Sequence, residues 1–309
     1  INNAGGMVRR VPYAEASEKD YDEIMDLNAR SVIVASQAAI APIKAAGGGF
    51  IINTTSVAAR NGASGGAGMY ELALVMEELS AGGCPLLLMV VSPAINGTII
   101  AKFGTDEQKK RWVPGIADGS ITMAFAITEP DAGSNSHRIT TTARRDGSDW
   151  ILSGQKVWIS GLDQSQYVLV VGRSEEAKTG NLRPALFVVP TDAPGLSFIK
   201  IPMELTMPES QFQVFLDEVR LPSDALVGAE DAAIAQLFAG LNPERIMGAA
   251  SAVGMGRLAL TKATDYVKTR QVWKTPIGAH QGIAHPLAQN HIELELAKLM
   301  MQKAATLYD

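Results

Sequence analysis

The strings AITEPDAGS, residues 126–134, and GQKVWIS, residues 154–160, decide how this chain is read. The first closes an alternating segment, Ile121 to Ile127, with a Pro-Asp-Ala-Gly turn. The second alternates, so Trp158 and Ser160, two apart, share one face. Outward from them, residues 120–228 keep a period of two, and turn pairs recur at Asp146-Gly147, Ser153-Gly154 and Pro194-Gly195. Short strands are expected at Ile121–Ile127, Ile139–Arg144, Trp150–Leu152, Lys156–Ser160, Tyr167–Val171, Ala185–Val189, Leu196–Ile201 and Gln211–Leu216. Short strands at this density, separated by such turns, predict an antiparallel barrel or sandwich.

On either side the period becomes helical. ELALVMEEL, Glu71 to Leu79, is stopped by Gly82 and Gly83, and a further helix opens near Thr105, whose spacing to Gln108 is that of a capping box, and ends before Gly119. After Glu230 helical spacing runs to Asp309, with Asn242-Pro243 as a start signal. Residues 1–70 read differently, as α/β: a helical stretch from Ser17 to Ala46, the run Gly47 to Gly49, and the apolar strand Phe50-Ile51-Ile52. The expected organisation is therefore an α/β segment (1–70), a helical segment (71–119), a β-domain (120–228) and a second helical segment (229–309).

Composition narrows the function classes. Lys and Arg total 27 against 32 Asp and Glu, a net charge of −5, which offers no electrostatic footprint for nucleic acid or anionic lipid. The apolar run Cys84 to Val91 is far shorter than the ~20 residues that cross a bilayer and reads as buried core. A single cysteine, Cys84, excludes an internal disulfide framework and a cysteine zinc site and fits a reducing, cytoplasmic compartment. His137, His280, His285 and His291 form no metal-binding signature and read as surface or packing residues, so no metal is expected. The opening at Ile1 shows no signal peptide and suggests a fragment.

Five motifs in order, AITEPDAGS, GQKVWIS, VRLP (219–222), PERI (243–246) and R-x-x-W-x7-Q from Arg270 to Gln281, give residues 71–309 a resemblance to the acyl-CoA dehydrogenase family. The resemblance implies FAD as cofactor, an acyl-CoA as substrate, an electron-transfer flavoprotein or similar acceptor, and a homo-oligomer. It implies helical, antiparallel β-barrel and helical segments in that order, truncated at both ends. It places Phe125, Ile127 and Thr128 at the flavin pyrimidine edge, Gly133 and Ser134 at phosphate or pantetheine oxygens, and Trp158 and Ser160 against the ring. It assigns Arg270, Trp273 and Gln281 to the neighbouring subunit's FAD, and Arg245 to substrate. Glu244 would be the base, as in one branch of the family. Read from the residues alone, the Thr128 segment is equally an ordinary strand ending in a turn, Trp158 a core filler, and Glu244 a first-turn carboxylate that stabilises a helix dipole.

A second resemblance covers the first 70 residues. NNAG at 2–5, Asn28, IINTTS at 51–56 and Tyr70 occur in the order of a short-chain dehydrogenase/reductase, implying a partial Rossmann-like fragment with Asn28, Ser56 and Tyr70 as its relic site. The family's glycine-rich dinucleotide turn would precede Ile1. Its lysine, four positions after the tyrosine, is replaced by Leu74, so the cation that would help the phenol give up its proton is missing. The junction is expected within Ala63 to Tyr70. Three functions follow: FAD-dependent acyl-CoA dehydrogenation, a non-catalytic chimeric fragment, and an NAD(P)-dependent reductase.

Overall fold

The Thr105 hydroxyl accepts a hydrogen bond from the Gln108 N–H at 3.2 Å, and the Gln108 side chain accepts from the Thr105 N–H at 2.9 Å. This is the reciprocal cap expected from the spacing, and it opens helix α4, Asp106–Asp118, which Gly119 ends in the left-handed conformation. The computed structural model describes residues 68–175, 180–204, 208–229 and 233–308, together with Lys19. The chain divides into units 1–67 and 68–309. The expected α/β elements of residues 1–67, with Asn28 and Ser56, lie outside the described residues.

Helix α1, Met69–Ala81, starts where Glu71 accepts from the Gly68 N–H at 2.7 Å and stops at Gly82. A stretch of the expected helical segment whose individual elements the spacing does not mark follows: α2, Leu87–Met89, a π-helical Val90–Gly97, and α3, Thr98–Phe103. Pro93, Gly97 and a run of β-branched residues hid them. Its wide π turn aims Ser92 and Asn96 at strand β1, Met123–Ala126. Ser92 accepts from the Met123 N–H at 3.1 Å, and Asn96 donates to the carbonyls of Met123 (2.8 Å) and Ala124 (3.0 Å). An edge that would otherwise be open is thereby covered.

The remaining strands are β2 (Thr142–Asp146), β3 (Asp149–Ser160), β4 (Tyr167–Glu175), β5 (Leu182–Pro190), β6 (Leu196–Ile201), β7 (Gln211–Leu221) and β8 (Leu226–Val227). They form one sheet in the order β6-β7-β3-β2-β4-β5-β8, with β1 also paired to β4. The antiparallel expectation is corrected here, because β1 and β2 both run parallel to β4, giving a mixed sheet. Ser153-Gly154 is not a turn either. It lies inside the 12-residue β3, where Gly154 at φ 153 approaches Thr141 so closely that a Cβ would collide with it. The strand expected from Ile139 begins only at Thr142, after a 3-10 turn at Ser136–Arg138. Trp150, Leu152, Ile159, Phe187, Val214 and Val219 meet in the core.

After β8 come α5, the 37-residue Ala233–Thr269, a small hairpin of β9 (Gln271–Val272) and β10 (Thr275–Pro276), and α6, Gln281–Tyr308. Asn242-Pro243 does not start a helix. Both lie inside α5, so the cap expected at Asn242 gives way to a helix that already runs from Ala233 and has buried Gln236 and Leu237 before it. Met69, Met76, Met247, Ala250 and Met301 form the core joining α1, α5 and α6. Buried Glu77 on α1 is clamped there by Arg257 of α5 at 2.6 Å and Lys298 of α6 at 2.9 Å.

Thr105→Ala removes the side-chain acceptor of the α4 cap and should cost about 1 kcal/mol. Urea unfolding should show a lower midpoint with an unchanged slope.

Candidate functional site

Strand β1 ends at Ala126, and the three residues that follow it are held from several sides. The Val157 N–H donates to the Thr128 carbonyl at 2.9 Å, which ties this segment to β3. Glu129 and Ala132 then exchange two backbone hydrogen bonds of 3.1 Å, closing a tight Pro130-Asp131 turn that leaves Gly133 and Ser134 exposed. Phe125 is buried, whereas Ile127 and Thr128 are half-buried. No hydrogen bond among the described residues occupies the hydroxyls of Thr128 and Ser134.

Behind this segment is a buried ion pair that sequence reasoning missed. Lys156 Nζ lies 2.9 Å from Glu129 Oε1 and also donates to the carbonyls of Ile127 (3.1 Å) and Val171 (2.7 Å). Glu129 Oε2 accepts from the N–H and hydroxyl of Thr140 at 2.6 and 2.8 Å, and Oε1 from those of Thr141 at 2.9 and 2.6 Å. Burial works to raise the Glu129 carboxyl, but these hydrogen bonds and the Lys156 charge outweigh it and hold the group at about 2. Burial lowers Lys156 to about 8 against the pull of Glu129, so the ammonium is charged at neutrality. The signal available in the sequence was a lysine at an inward position of an alternating strand.

Trp158 sits two residues beyond Lys156. Lys156 pairs with Val214 and Ile159 with Phe212, so β3 carries one extra residue there, a bulge, with Trp158 at φ 61. The bulge lets Lys156 and Ile159 both face inward and turns the indole outward, 56% exposed. A non-glycine residue held in the left-handed region with a large aromatic in solvent is a feature that points to a ligand platform. Ser160, half-buried, donates to Gln211 Oε1 at 3.0 Å, so its hydroxyl hydrogen is engaged within the protein.

Glu244 and Arg245 lie in the interior of α5, so the first-turn reading of Glu244 is corrected: no helix N-terminus holds its charge. Burial instead raises the Glu244 carboxyl above the ordinary range, with the Arg245 charge opposing. Arg245 is exposed, donates to Asn242 Oδ1 at 3.0 Å and lies over the Phe238 ring at 5.5 Å.

Arg270, Trp273 and Gln281 gather at the end of the α5–α6 pair. Arg270 and Gln281 are exposed, and Trp273, at the hairpin tip, is 86% exposed with the His280 ring 6.0 Å away. A cavity of about 610 Å³ between α5, the hairpin and α6, lined by Leu260, Val267, Pro276, Leu287 and His291 among others, is separate from Thr128 and Trp158. Tyr70 lies on α1 and packs against the α1–α5–α6 core. Among the described residues no group of three His, Cys, Asp or Glu could hold a metal, and no helix is long and apolar enough to cross a membrane.

Comparison with known proteins assigns this architecture. Models of the N-terminal, middle and C-terminal domains of acyl-CoA dehydrogenase match residues 44–120, 124–219 and 234–309. A short chain dehydrogenase model matches residues 1–70, overlapping the first of these. Acyl-CoA dehydrogenase FadE12 of Mycobacterium tuberculosis is 85% identical over 245 residues, 79% of this chain and 63% of that protein. A glutaryl-CoA dehydrogenase structure from Mycobacterium smegmatis in complex with FADH2 has a TM-score of 0.69 at 31% identity, covering 77% of this chain and 60% of that one. A second glutaryl-CoA dehydrogenase structure from the same organism has a TM-score of 0.65 at 30% identity, covering 77% and 68%. The chain belongs to the acyl-CoA dehydrogenase family. It spans 63% of the length of the FadE12 relative.

The donor set fits the FAD of that family: two hydroxyls without protein partners, an outward indole and an exposed arginine. Glu129, held at about 2 against an ordinary 4.5, contributes stability that is complete above 4.5 and lost as pH falls towards 2. The melting temperature of the wild-type chain should therefore exceed that of Glu129→Gln most near neutrality, and the gap should shrink steadily between about pH 5 and pH 3.

Proposed function

We propose that this chain catalyses FAD-dependent dehydrogenation of an acyl-CoA thioester between Cα and Cβ, giving the enoyl-CoA. The observation that carries this reading is Trp158, turned outward by a bulge and next in sequence to Val157, which holds the Thr128 carbonyl, in a chain of this family. FAD, when bound, supplies the acceptor for the hydride lost from Cβ. Ile127, Thr128, Gly133 and Ser134 would hold it and the CoA through backbone and hydroxyl donors, with Phe125 supporting from within and Ser160 acting through Gln211. Trp158 would cover the ring and exclude water.

Glu244 would take the α-proton, and Arg245 beside it would favour the ionised form and lie near the substrate's polar end. A carboxyl raised by burial is a stronger base than an exposed glutamate. Arg270, Trp273 and Gln281 would reach the FAD of a second copy in a homo-oligomer, and an electron-transfer flavoprotein or similar protein would reoxidise the chain in a cytoplasmic setting. Residues 1–70 would be a fused reductase-like fragment without reductase chemistry, since Tyr70 is packed on α1 and Leu74 stands in place of a lysine. The segments 1–70, 71–119, 120–228 and 229–309 are the divisions this reading uses.

The test is the purified chain loaded with FAD, assayed with an acyl-CoA panel and a dye acceptor. Glu244→Gln should lower kcat by ~10²–10⁴ and Tyr70→Phe should leave it unchanged. The acid limb of kcat/KM should fall above the ordinary glutamate value of 4.5, because burial raises the group. Loss of activity in Tyr70→Phe with Glu244→Gln unaffected would overturn the assignment. A chain that retains no FAD favours the non-catalytic chimeric fragment.

A further inference from the structure

Lys156 and Glu129 are buried charges that the chemistry above does not use. The three protons of the Lys156 ammonium have three acceptors, on Ile127, Val171 and Glu129, and the two Glu129 oxygens take four further bonds from Thr140 and Thr141. Thr128 lies between two residues that this ammonium grips, and its own carbonyl is held by Val157, the residue after Lys156. Trp158 is next on the same strand, inside the bulge whose phase is set by Lys156 and Ile159 facing inward together.

We propose that the Lys156–Glu129 pair is the positioning element of the flavin site, fixing the Thr128 segment and the Trp158 ring relative to each other and so setting the electronic environment of a bound isoalloxazine. The second half rests on the FAD reading, and the first does not. An apolar residue at position 156 could fill the same volume but would take the ammonium donor from the carbonyls of Ile127 and Val171 and leave the Glu129 carboxylate, still bonded by Thr140 and Thr141, without its counter-charge. The segment would then move to find water or another partner. Because Thr128 and Trp158 are attached to the two ends of this contact, that movement changes their spacing.

The experiment uses the full chain labelled with 5-fluorotryptophan, comparing wild type, Lys156→Met and Glu129→Gln, with Trp158→Phe to assign the resonance. In the chain without FAD, the Trp158 fluorine signal should shift or broaden in both variants while that of Trp273, on the distant hairpin, stays in place. With FAD bound, the oxidised-to-reduced ratio against a reference dye should change about tenfold, ~30 mV for a two-electron couple. A purely structural role would lower the melting temperature and leave the Trp158 signal and the potential of the folded chain where they are, and that result overturns the proposal. If Lys156→Met does not fold, Glu129→Gln, which keeps an acceptor for Thr140 or Thr141, decides in the same way. If the wild-type chain binds no flavin, the cofactor reading fails, and the fluorine signal still decides whether the pair positions Trp158.

Discussion

One edge of strand β4 is shared by two others, and the place where they fail to meet is filled by a charge. Strand β1 pairs with residues Tyr167 to Val170 of β4, and β2 pairs with Arg173 and Ser174. Between them, at Val171 and Gly172, the parallel ladder has no strand. Lys156 Nζ reaches into this gap from β3 and takes the Val171 and Ile127 carbonyls, and Glu129 brings Thr140 and Thr141 to the same point. Without the ammonium the two carbonyls would lose this donor, at a cost of ~1–3 kcal/mol for each neutral group left unpaired, and the carboxylate would lose its counter-charge. Removing one partner of a buried pair costs roughly 3–5 kcal/mol, which makes this contact a condition for the mixed sheet. The segment carrying Thr128 is tied to this break through Glu129 and through the Thr128 carbonyl, which accepts from the Val157 N–H of β3.

The same break explains which parts of the β-region were readable in advance. The strands near Tyr167, Ala185, Leu196 and Gln211 were readable because their apolar, β-branched and aromatic content is local, although only β7 alternates in burial: β4 and β5 are buried on both faces and β6 is largely exposed. Direction is not local. Whether β1 runs with or against β4 depends on the path between Ala126 and Tyr167, and nothing in the alternation records that path. Ser153-Gly154 reads as a turn pair for a related reason: the φ of 153 at Gly154 serves a close approach of Thr141 and not a reversal of the chain, and composition does not distinguish the two. The bulge at Trp158 was hidden by apparent regularity, since residues 158 and 160 share a face with or without it.

Helix boundaries followed a different rule. Where a cap is made by the side chain itself, as at Thr105 with Gln108, spacing and structure coincide. Asn242-Pro243 has the composition of a start, but the helix is already under way, with Gln236 and Leu237 buried and Gly240 packed against Ile95 and Ile99, and packing overrides the cap. The consequence for the candidate site is electrostatic. At a helix N-terminus Glu244 would have been held ionised by unpaired amides, whereas in the middle of α5 its environment is set by burial and by Arg245. The residue was found through its resemblance, and its chemistry came from its place in the helix.

The hairpin between α5 and α6 carries the same kind of information as the bulge at Trp158. Its two central residues, Trp273 and Lys274, have φ of 49 and 68, the geometry of a tight two-residue turn usually made by Asn-Gly. Such conformations cost of order 1–3 kcal/mol for residues with side chains. The flanking strands are only two residues each, supported by the Ile277 N–H to Arg270 carbonyl bond of 2.8 Å. That is a small ladder to hold two strained residues and a tryptophan that is 86% exposed. Local contacts do not account for the indole's position, because its neighbouring ring, His280, meets it edge-on at 6.0 Å. An aromatic kept at a strained tip beside an exposed arginine is better explained by a contact outside this chain, which is the role the proposed oligomer gives it. In the proposed oligomer, the two tryptophans held in left-handed backbone would serve one site from opposite sides of an interface, Trp158 from within the subunit and Trp273 from its neighbour.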